Sequence, residues 1–203
     1  MSTALGLLSF QKAIKGGVRP NLFQVNHSFP TGVDPVAISE VQGGEVAYMC
    51  KAAALPATNV GTVELPFRGR VIKVPGDRTY ETWTATFYMD DAFELRSAYE
   101  RWIQLTNGVD TNTAEAEVTT GGILEDITVE QLNKFGGTST DLEVIRTYKL
   151  FAGFPVSVSQ VSVAYDNNDS YEEFDVEFAY QYFETFQKDG KGGNELKRVT
   201  KTS

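Results

Sequence analysis

The residues of this 203-residue chain that could do chemistry are three pairs of neighbouring carboxylates, one histidine and one cysteine. The pairs are Asp90 with Asp91, Glu115 with Glu117, and Glu172 with Glu173. General acid/base catalysis needs two carboxylates that converge on one pocket and differ in environment. Neighbours in a strand diverge, and carboxylates before a helix cap its first turn. We therefore interpret the three pairs as solvated strand and cap residues.

His27 and Cys50 supply the single imidazole and the single thiol, too few for a zinc cluster or an internal disulfide. His27 lies in a predicted strand without a serine or cysteine motif, so we interpret it as a hydrogen-bonded strand residue and not a base. Cys50 is expected to be a small buried hydrophobe. No metal site is expected, and the chain is not predicted to be an enzyme.

Four glycine pairs, at positions 16, 43, 121 and 136, do not continue into a phosphate-binding or dinucleotide motif. No nucleotide or other cofactor is therefore expected.

The composition is that of a globular protein, with 41% hydrophobic and 22% charged residues. The length fits one domain better than two. A formal charge of -9 opposes attraction to a phosphate backbone, so ordinary nucleic-acid binding is not expected. No apolar run approaches the roughly 18 to 20 residues of a membrane-spanning helix. Polar residues interrupt the apolar ones within residues 1–14 before a stretch of signal-peptide length forms, so no export signal is expected. We expect a soluble protein of a reducing cytoplasm, without membrane insertion.

The elements that would position these residues are mostly strands. Stretches rich in β-branched and aromatic residues, separated by proline and glycine clusters, run over Leu22 to Phe29, Glu45 to Ala53 and Thr62 to Val74. The clearest strand is Tyr80 to Met89, in which Trp83, Ala85, Phe87 and Met89 alternate with threonines.

One amphipathic helix follows that strand. Asp91 and Glu94 form a capping-box-like start, and Asn107 with Gly108 supplies a stop. The apolar residues at helical spacing are Ala92, Leu95, Tyr99, Trp102 and Ile103. We expect this helix to lie on a sheet.

A hairpin is predicted in the last third of the chain. Its first strand carries Val156, Val158, Val161, Val163 and Tyr165 and ends at a turn over residues 166–169. In the return strand, Phe174, Val176, Phe178, Tyr180 and Tyr182 alternate with polar residues that include Glu173, Asp175 and Glu177. The alternation places a row of carboxylates on the face opposite the core.

The domain prediction is an N-terminal arm over residues 1–18, a β domain over 19–187 and a flexible C-terminal tail over 188–203. Within the β domain, the polar, threonine-rich and glycine-rich stretch 108–140 predicts an insertion or long loop.

A cationic stretch follows Pro66 and Phe67 and contains Arg68, Arg70 and Lys73, with Arg78 nearby. Strand alternation predicts that Arg68 and Arg70 share a face, where they could meet an acidic surface on another copy. The alternative is a solvated edge strand whose charges block aggregation.

The order of segments resembles the tail tube proteins of contractile-tailed bacteriophages of the T-even-like class, over roughly Arg19 to Phe183. The segments that carry the resemblance are Arg19 to Val25, Cys50 to Ala52 before Leu55 to Ala57, Gly76 to Thr79 before the Trp83 strand and its helix, Gly153 to Pro155, and Phe174 to Phe178 after its Asp-Asn turn. The chain departs from the family pattern at Thr31 to Gly44, at 108–140 and after Lys188.

The resemblance implies a mainly β fold, with two packed antiparallel sheets in a barrel-like sandwich and one flanking helix, a type shared with type VI secretion inner tubes. It implies a structural virion protein whose hexameric rings join sheets edge to edge and stack into a tube, a conduit for DNA ejection. The implied partners are further copies of the chain, the tail sheath protein, the baseplate and tail terminator proteins, and transiently passing DNA. The implied location is the virion tail, after assembly in the bacterial host cytoplasm.

Two sets of candidate site residues follow from that expectation. A carboxylate wall would let DNA slide, so Glu173, Asp175 and Glu177 are expected to face the lumen. Ring stacking is assigned to the hairpin loop between Pro56 and Pro75, with Phe67, Arg68 and Arg70, and to the N-terminal arm, with Leu5, Leu8 and Phe10.

Two alternatives remain open. One is the inner tube of a type VI secretion or other contractile injection system, which the shared fold cannot separate from a phage tail. The other is a monomeric β-sandwich that binds carbohydrate or protein ligands in a cleft of converging aromatic residues.

Overall fold

The fold is mainly β, as predicted. The computed structural model describes residues 7–14, 17–33, 45–119, 121–137, 142–166, 170–188 and 196–198. The helices are α1 (Leu7–Ile14), α2 (Glu45–Met49) and α3 (Glu94–Thr106). The strands are β1 (Phe23–His27), β2 (Cys50–Ala53), β3 (Asn59–Phe67), β4 (Arg70–Thr79), β5 (Trp83–Tyr88), β6 (Glu125–Gly137), β7 (Leu142–Val158), β8 (Glu173–Ala179), β9 (Tyr182–Lys188) and β10 (Leu196–Arg198).

Two antiparallel sheets share the 17-residue strand β7. The first sheet has the order β1, β6, β7, β9, β10, and the second has the order β7, β8, β5, β2. The strands β3 and β4 form a separate two-stranded hairpin. This arrangement confirms the predicted barrel-like sandwich, with the two sheets continuous through β7.

The strand β7 passes from one sheet to the other at Ala152. Before this residue, Arg146 to Phe151 pair with β9, and after it Phe154 to Val158 pair with β8. Ala152 has a positive φ of 52°, which is uncommon for a residue with a side chain. Its N–H donates to Oδ1 of Asp126 on β6 at 3.2 Å, so a side chain from the neighbouring strand holds the bend.

A cluster of aromatic rings fills the space between the sheets, and α3 supplies its centre. The ring of Tyr99 lies 5.3 Å from that of Phe87, 6.2 Å from Phe174 and 5.8 Å from Phe178. The indole N–H of Trp102 donates to a backbone carbonyl at 2.8 Å, so its polar atom is satisfied inside the core. The predicted helix on a sheet is thus confirmed.

The start and the buried face of α3 differ from the prediction. Asp90, and not Asp91, caps the helix, because its carboxylate accepts the N–H groups of Glu94 at 2.8 Å and Leu95 at 3.3 Å. The residue at the N-cap position is the exposed Phe93, which has a left-handed φ of 57° and no side-chain capping bond of its own. The buried residues are Leu95, Ala98, Tyr99, Trp102 and Leu105, without Ala92 or Ile103.

The predicted insertion over 108–140 contains a full strand, β6, in its second half. Ile127 and Val129 are buried there and pair across β7, while Asp126, Thr128 and Glu130 alternate with them. The polar residues and the flanking glycines favoured a loop in the sequence analysis. The two-residue alternation of a strand is established only by the pairing of this segment with its neighbouring strands.

Two other predicted segments change type. Glu45–Met49 is a short helix and not a strand, and the strand β2 begins only at Cys50; Val46 of the helix and Cys50 are both buried in the core. In the tail, Leu196–Arg198 pairs with β9, so this part is not the free tail predicted; a strand satisfies the backbone groups at the edge of β9.

The predicted hairpin in the last third of the chain is confirmed, but both of its strands end earlier than predicted. The strand β7 ends at Val158, and Val163 and Tyr165 lie exposed beyond it. The return strand β8 ends at Ala179, and Tyr182 begins β9 with 43% of its surface exposed.

Both residues considered for nucleophilic chemistry are structural. Burial raises the pKa of the Cys50 thiol to about 12, so it is a neutral buried group. His27 is buried, with Nε2 2.7 Å from the Tyr99 hydroxyl and Nδ1 3.1 Å from the Ser28 carbonyl. A neutral imidazole that donates to Ser28 and accepts from Tyr99 satisfies both bonds, and burial lowers the pKa of His27 to about 4.

In the part of the chain that the structure describes, none of the helices is long and apolar enough to cross a membrane.

We predict that His27 makes the fold sensitive to acid. The imidazole of His27 is protonated near pH 6.5 in the unfolded chain and only near pH 4 in the folded chain. The contribution of the neutral imidazole to the free energy of unfolding is therefore complete above pH 6.5 and is lost as the pH falls. The loss by pH 4 is about 3 kcal/mol, at 1.36 kcal/mol per pKa unit. Urea unfolding between pH 7 and 4 should show a shallower pH slope for His27→Gln than for the parent. Equal slopes would contradict this role.

Candidate functional site

The outer face of the second sheet carries the predicted row of carboxylates. Along β8, Phe174, Val176 and Phe178 are fully buried, which turns Glu173, Asp175 and Glu177 to the opposite face. We call this face, with the threonines of β5 beside it, the carboxylate face. The prediction that these three residues lie opposite the core is confirmed.

Side chains of the neighbouring strands hold each carboxylate against the sheet. Lys51 of β2 lies 2.5 Å from Glu173, and their hydrogen bond raises the pKa of the lysine. The hydroxyl of Thr86 donates to Asp175 at 2.6 Å, and Thr82 donates to Glu177. The face is therefore acidic, with most of its charge fixed in orientation. Sequence reasoning missed Lys51, because only the β2, β5, β8 pairing brings it to Glu173.

The second sheet has two edges that pair with no strand among the described residues. One is the outer edge of β2, and the other is the outer edge of Phe154 to Val158, since β6 pairs with β7 only as far as Gly153. Val156 on the second edge is 49% exposed. Unpaired backbone N–H and C=O groups on such edges are templates for another strand.

The hairpin of β3 and β4 projects from the body of the molecule. Nearly every one of its residues is exposed along both strands. Its two-residue turn is Arg68-Gly69, with φ values of 44° and 80°, the pattern of a type I′ turn. Arg68 thus lies in the turn, and the prediction that it alternates with Arg70 on one strand face is wrong.

One face of this hairpin is apolar over most of its length. The register pairs Val63 with Val74, Leu65 with Ile72 and Phe67 with Arg70, which places five apolar side chains on one face. We call this the apolar face of the hairpin: Val63, Leu65, Phe67, Ile72 and Val74, each between 38% and 58% exposed. The other face carries the ion pair of Glu64 and Lys73 at 3.3 Å, with Pro66 and the exposed Val71 paired beside it. A lone two-stranded hairpin is marginally stable in water, so an exposed apolar face of this length is typical of an interaction surface.

The predicted stacking residues fall into two groups. Phe67, Arg68 and Arg70 come together at the hairpin tip, where the Arg68 guanidinium lies 5.4 Å from the centre of the Phe67 ring. In the predicted arm, Phe10 lies in α1 with 61% of its surface exposed. Leu8 also belongs to α1, and Leu5 lies outside the described residues.

The remaining carboxylate pairs stabilise local structure. Asp90 caps α3, and Glu115 pairs with Arg101 at 3.0 Å across the loop that follows α3. Within the described ranges, His, Cys, Asp and Glu form no group of three that could hold a metal ion. The surfaces suited to an interaction are thus the carboxylate face, the two open edges and the hairpin.

Comparisons with known proteins agree with one another. The sequence profile of the family described as phage tail tube protein matches residues 18–186. The chain is 30% identical over 169 residues to tail tube protein gp19 of Enterobacteria phage T4, covering 82% of this chain and 90% of that protein. It is 27% identical over 166 residues to the tail tube protein of Serratia phage KSP90, covering 81% and 87%.

Solved structures share the fold at lower sequence identity. A chain of the PVC sheath-tube complex, an extracellular contractile injection system in its extended state, superposes with a TM-score of 0.55 at 16% identity, covering 89% of this chain and 98% of that chain. A chain of the six-fold symmetrised anti-feeding prophage baseplate gives a TM-score of 0.56 at 12% identity, covering 81% and 92%.

We predict that the hairpin is dispensable for folding of the subunit. Replacing residues 59–79 by a short Gly/Ser linker should leave the melting temperature within about 3 °C of the parent, because the segment buries almost no surface. The matched control is Phe178→Ala, which opens a cavity in the core and should cost roughly 3 to 5 kcal/mol. Thermal melts followed by circular dichroism make the comparison. A linker variant as unstable as the control would mean that the hairpin supports the core.

Proposed function

Because the chain belongs to the phage tail tube protein family, we propose that its copies close into hexameric rings that stack into the inner tube of a contractile tail. The observation that carries this proposal is the second sheet, whose two edges pair with no strand within the described residues and whose outer face is acidic. The role is structural, and no reaction is assigned to the chain.

Ring closure follows from the direction of the strands. Directions alternate along β7, β8, β5 and β2, so the two edge strands run oppositely. A ring relates its copies by rotation about an axis roughly parallel to the strands, and such a rotation preserves the direction of every strand. It therefore brings β2 of one copy antiparallel to β7 of the next. The free edges are of similar length, with four residues in β2 and five in Phe154 to Val158. A sheet with an even number of strands can therefore continue around a ring without a parallel junction.

The lumen is assigned to the carboxylate face. Glu173, Asp175 and Glu177 repeat around the ring in this arrangement, and Lys51 offsets one of the three charges in each copy. Phosphates are repelled by such a wall, so DNA passes without the counterion release that would hold it. Hydroxyl partners keep Asp175 and Glu177 close to the sheet.

Stacking is assigned to the hairpin and the N-terminal arm. Phe67 is the anchor, with 58% of its surface exposed in the single subunit, and Arg68 and Arg70 surround it. An aromatic residue beside arginines is the composition of interface cores. The arm contributes Leu5, Leu8 and Phe10.

The tube lies inside a contractile sheath in the virion tail, between a baseplate and a tail terminator protein. Its subunits are made and assembled in the bacterial host cytoplasm, and DNA passes through the finished tube during ejection without insertion of the subunit into a membrane. Electron microscopy of the purified protein under nucleating conditions tests the proposal. Stacked rings support it, whereas monomers at high concentration would instead favour a ligand-binding β-sandwich.

The lumen assignment predicts protection of Asp175 in the tube. In a Cys50→Ala background, Asp175→Cys should react with a bulky polyethylene-glycol maleimide in the dispersed subunit, because this side chain is exposed there. Assembly into tubes should suppress that labelling by roughly tenfold or more, since the reagent enters only at the ends. The control is Val109→Cys, at a loop position that is 84% exposed and outside the proposed interfaces. Equal labelling of Asp175→Cys before and after assembly would reject the lumen assignment.

The stacking assignment predicts that Phe67→Ala and Arg70→Glu each reduce tube yield by roughly tenfold, as expected for hot-spot residues of an interface. Their circular dichroism spectra should match that of the parent, because both side chains are exposed. Val109→Ala and Lys134→Glu are matched controls, which change exposed residues outside the hairpin. Tube yield is counted in electron micrographs, and parental yields for both hairpin variants would refute the assignment.

A further inference from the structure

The hairpin and a second exposed apolar surface lie at opposite ends of the same sheet. The hairpin leaves the second sheet where β2 ends at Ala53 and returns where β5 begins at Trp83. The other ends of these strands are Cys50 and Tyr88, and β8 begins beside them, because Tyr88 pairs with Glu173. The sheet thus has a hairpin end and an opposite end.

Three exposed aromatic side chains surround that opposite end: Tyr48, Phe93 and Tyr171, which we call the aromatic end. Tyr48 lies two residues before β2, Tyr171 two residues before β8, and Phe93 five residues after β5. The N–H of Met89 donates to the Glu172 carbonyl at 2.9 Å and keeps the last two segments together. The exposed fractions of the three side chains are 86% for Tyr48, 49% for Phe93 and 84% for Tyr171. Phe87 and Tyr99, in contrast, are fully buried in the aromatic core.

The charges of the two ends are complementary. Residues 59–79 contain Arg68, Arg70, Lys73 and Arg78 against Glu64 and Asp77, a net charge of +2. The whole chain has 18 basic and 27 acidic residues, so the part outside residues 59–79 has 14 basic and 25 acidic residues and a net charge of -11. Asp91 and Glu172 are exposed beside the aromatic end. Opposite charges at the rim of an apolar contact fix its register and favour the correct encounter.

We propose that the apolar face of the hairpin in one copy packs on the aromatic end of a copy in the next ring, with Arg68 and Arg70 near Asp91 and Glu172 of that copy. This inference rests on the proposed stacking of rings and adds the surface that receives the hairpin.

The positions of the two surfaces favour a second copy over a different protein. Within one molecule the hairpin and the aromatic end lie at opposite ends of β2 and β5, so they do not meet. Surfaces at opposite ends of a subunit make a head-to-tail contact. Any stack of rings then has free hairpins at one end and free aromatic ends at the other, so further rings can add without limit. Strands of nine and ten residues reach roughly 30 Å, enough to cross from one ring into the next.

Disulfide trapping between two single-cysteine proteins tests the inference. In the Cys50→Ala background, Phe67→Cys and Phe93→Cys are mixed in equal amounts, assembled and oxidised, with Tyr171→Cys as a second partner. We expect a cross-linked dimer that contains one copy of each protein in tubes and at least tenfold less of it in the dispersed subunits. The pair Phe67→Cys with Val109→Cys is the matched control and should remain uncross-linked, because Val109 is exposed but lies outside the aromatic end.

A charge reversal provides a second measurement. Arg70→Glu and Asp91→Lys should each lower tube yield by roughly tenfold, and the double variant should recover at least half of the parental yield. All of these positions are exposed, so the variants are expected to fold.

The outcomes separate this inference from the proposed function. Tubes that form without the Phe67 to Phe93 or Phe67 to Tyr171 cross-link, and without rescue by the double variant, would overturn the receiving surface and leave the tube role intact. A parent protein that never forms rings or tubes would overturn the tube role and the inference with it.

Discussion

The sharing of β7 by two sheets is the constraint on which the rest of the structure depends. The bend at Ala152, held by Asp126, takes this strand out of the first sheet and into the second. One face of each sheet can then enclose the same aromatic core, which Tyr99 and Trp102 of α3 complete. The same bend separates β6 from the last five residues of β7, which leaves their outer edge without a partner strand in the described part of the chain. Core closure and the open edge therefore have one cause.

The molecule divides into a part that is stable by itself and parts that are incomplete alone. The aromatic core satisfies its polar atoms internally, as in the hydrogen bonds of His27 with Tyr99 and of Trp102 with Ile123. The hairpin has exposed apolar side chains, and the two edges of the second sheet pair with no strand in the ranges that the structure describes. In the proposed tube, neighbouring copies of the chain cover the apolar side chains of the hairpin and pair with the edges of the second sheet. Assembly therefore adds strands and apolar contacts without disturbing the core. A subunit of this kind can fold before it assembles.

Electrostatics has a different role at each surface. On the carboxylate face, hydroxyl groups and Lys51 fix the orientation of Glu173, Asp175 and Glu177, so the face is acidic without being mobile. At the hairpin, cationic residues stand apart from an otherwise acidic chain. Repulsion suits a wall that must not bind phosphate, whereas local attraction suits a contact that must find one register. The uneven distribution of charge thus matters more than the net value.

The sequence by itself determined the elements whose apolar period is complete within one segment, such as the Trp83 strand, the helix around Trp102 and the β8 alternation that exposes Glu173, Asp175 and Glu177. It also carried the family resemblance. Only the tertiary structure decided features that depend on pairing between distant segments: β6 as a strand, Lys51 beside Glu173, and Arg68 in a turn. Local periodicity reports which side of an element is buried, but strand register and the open edges depend on partners far away in the chain, and no single segment encodes them.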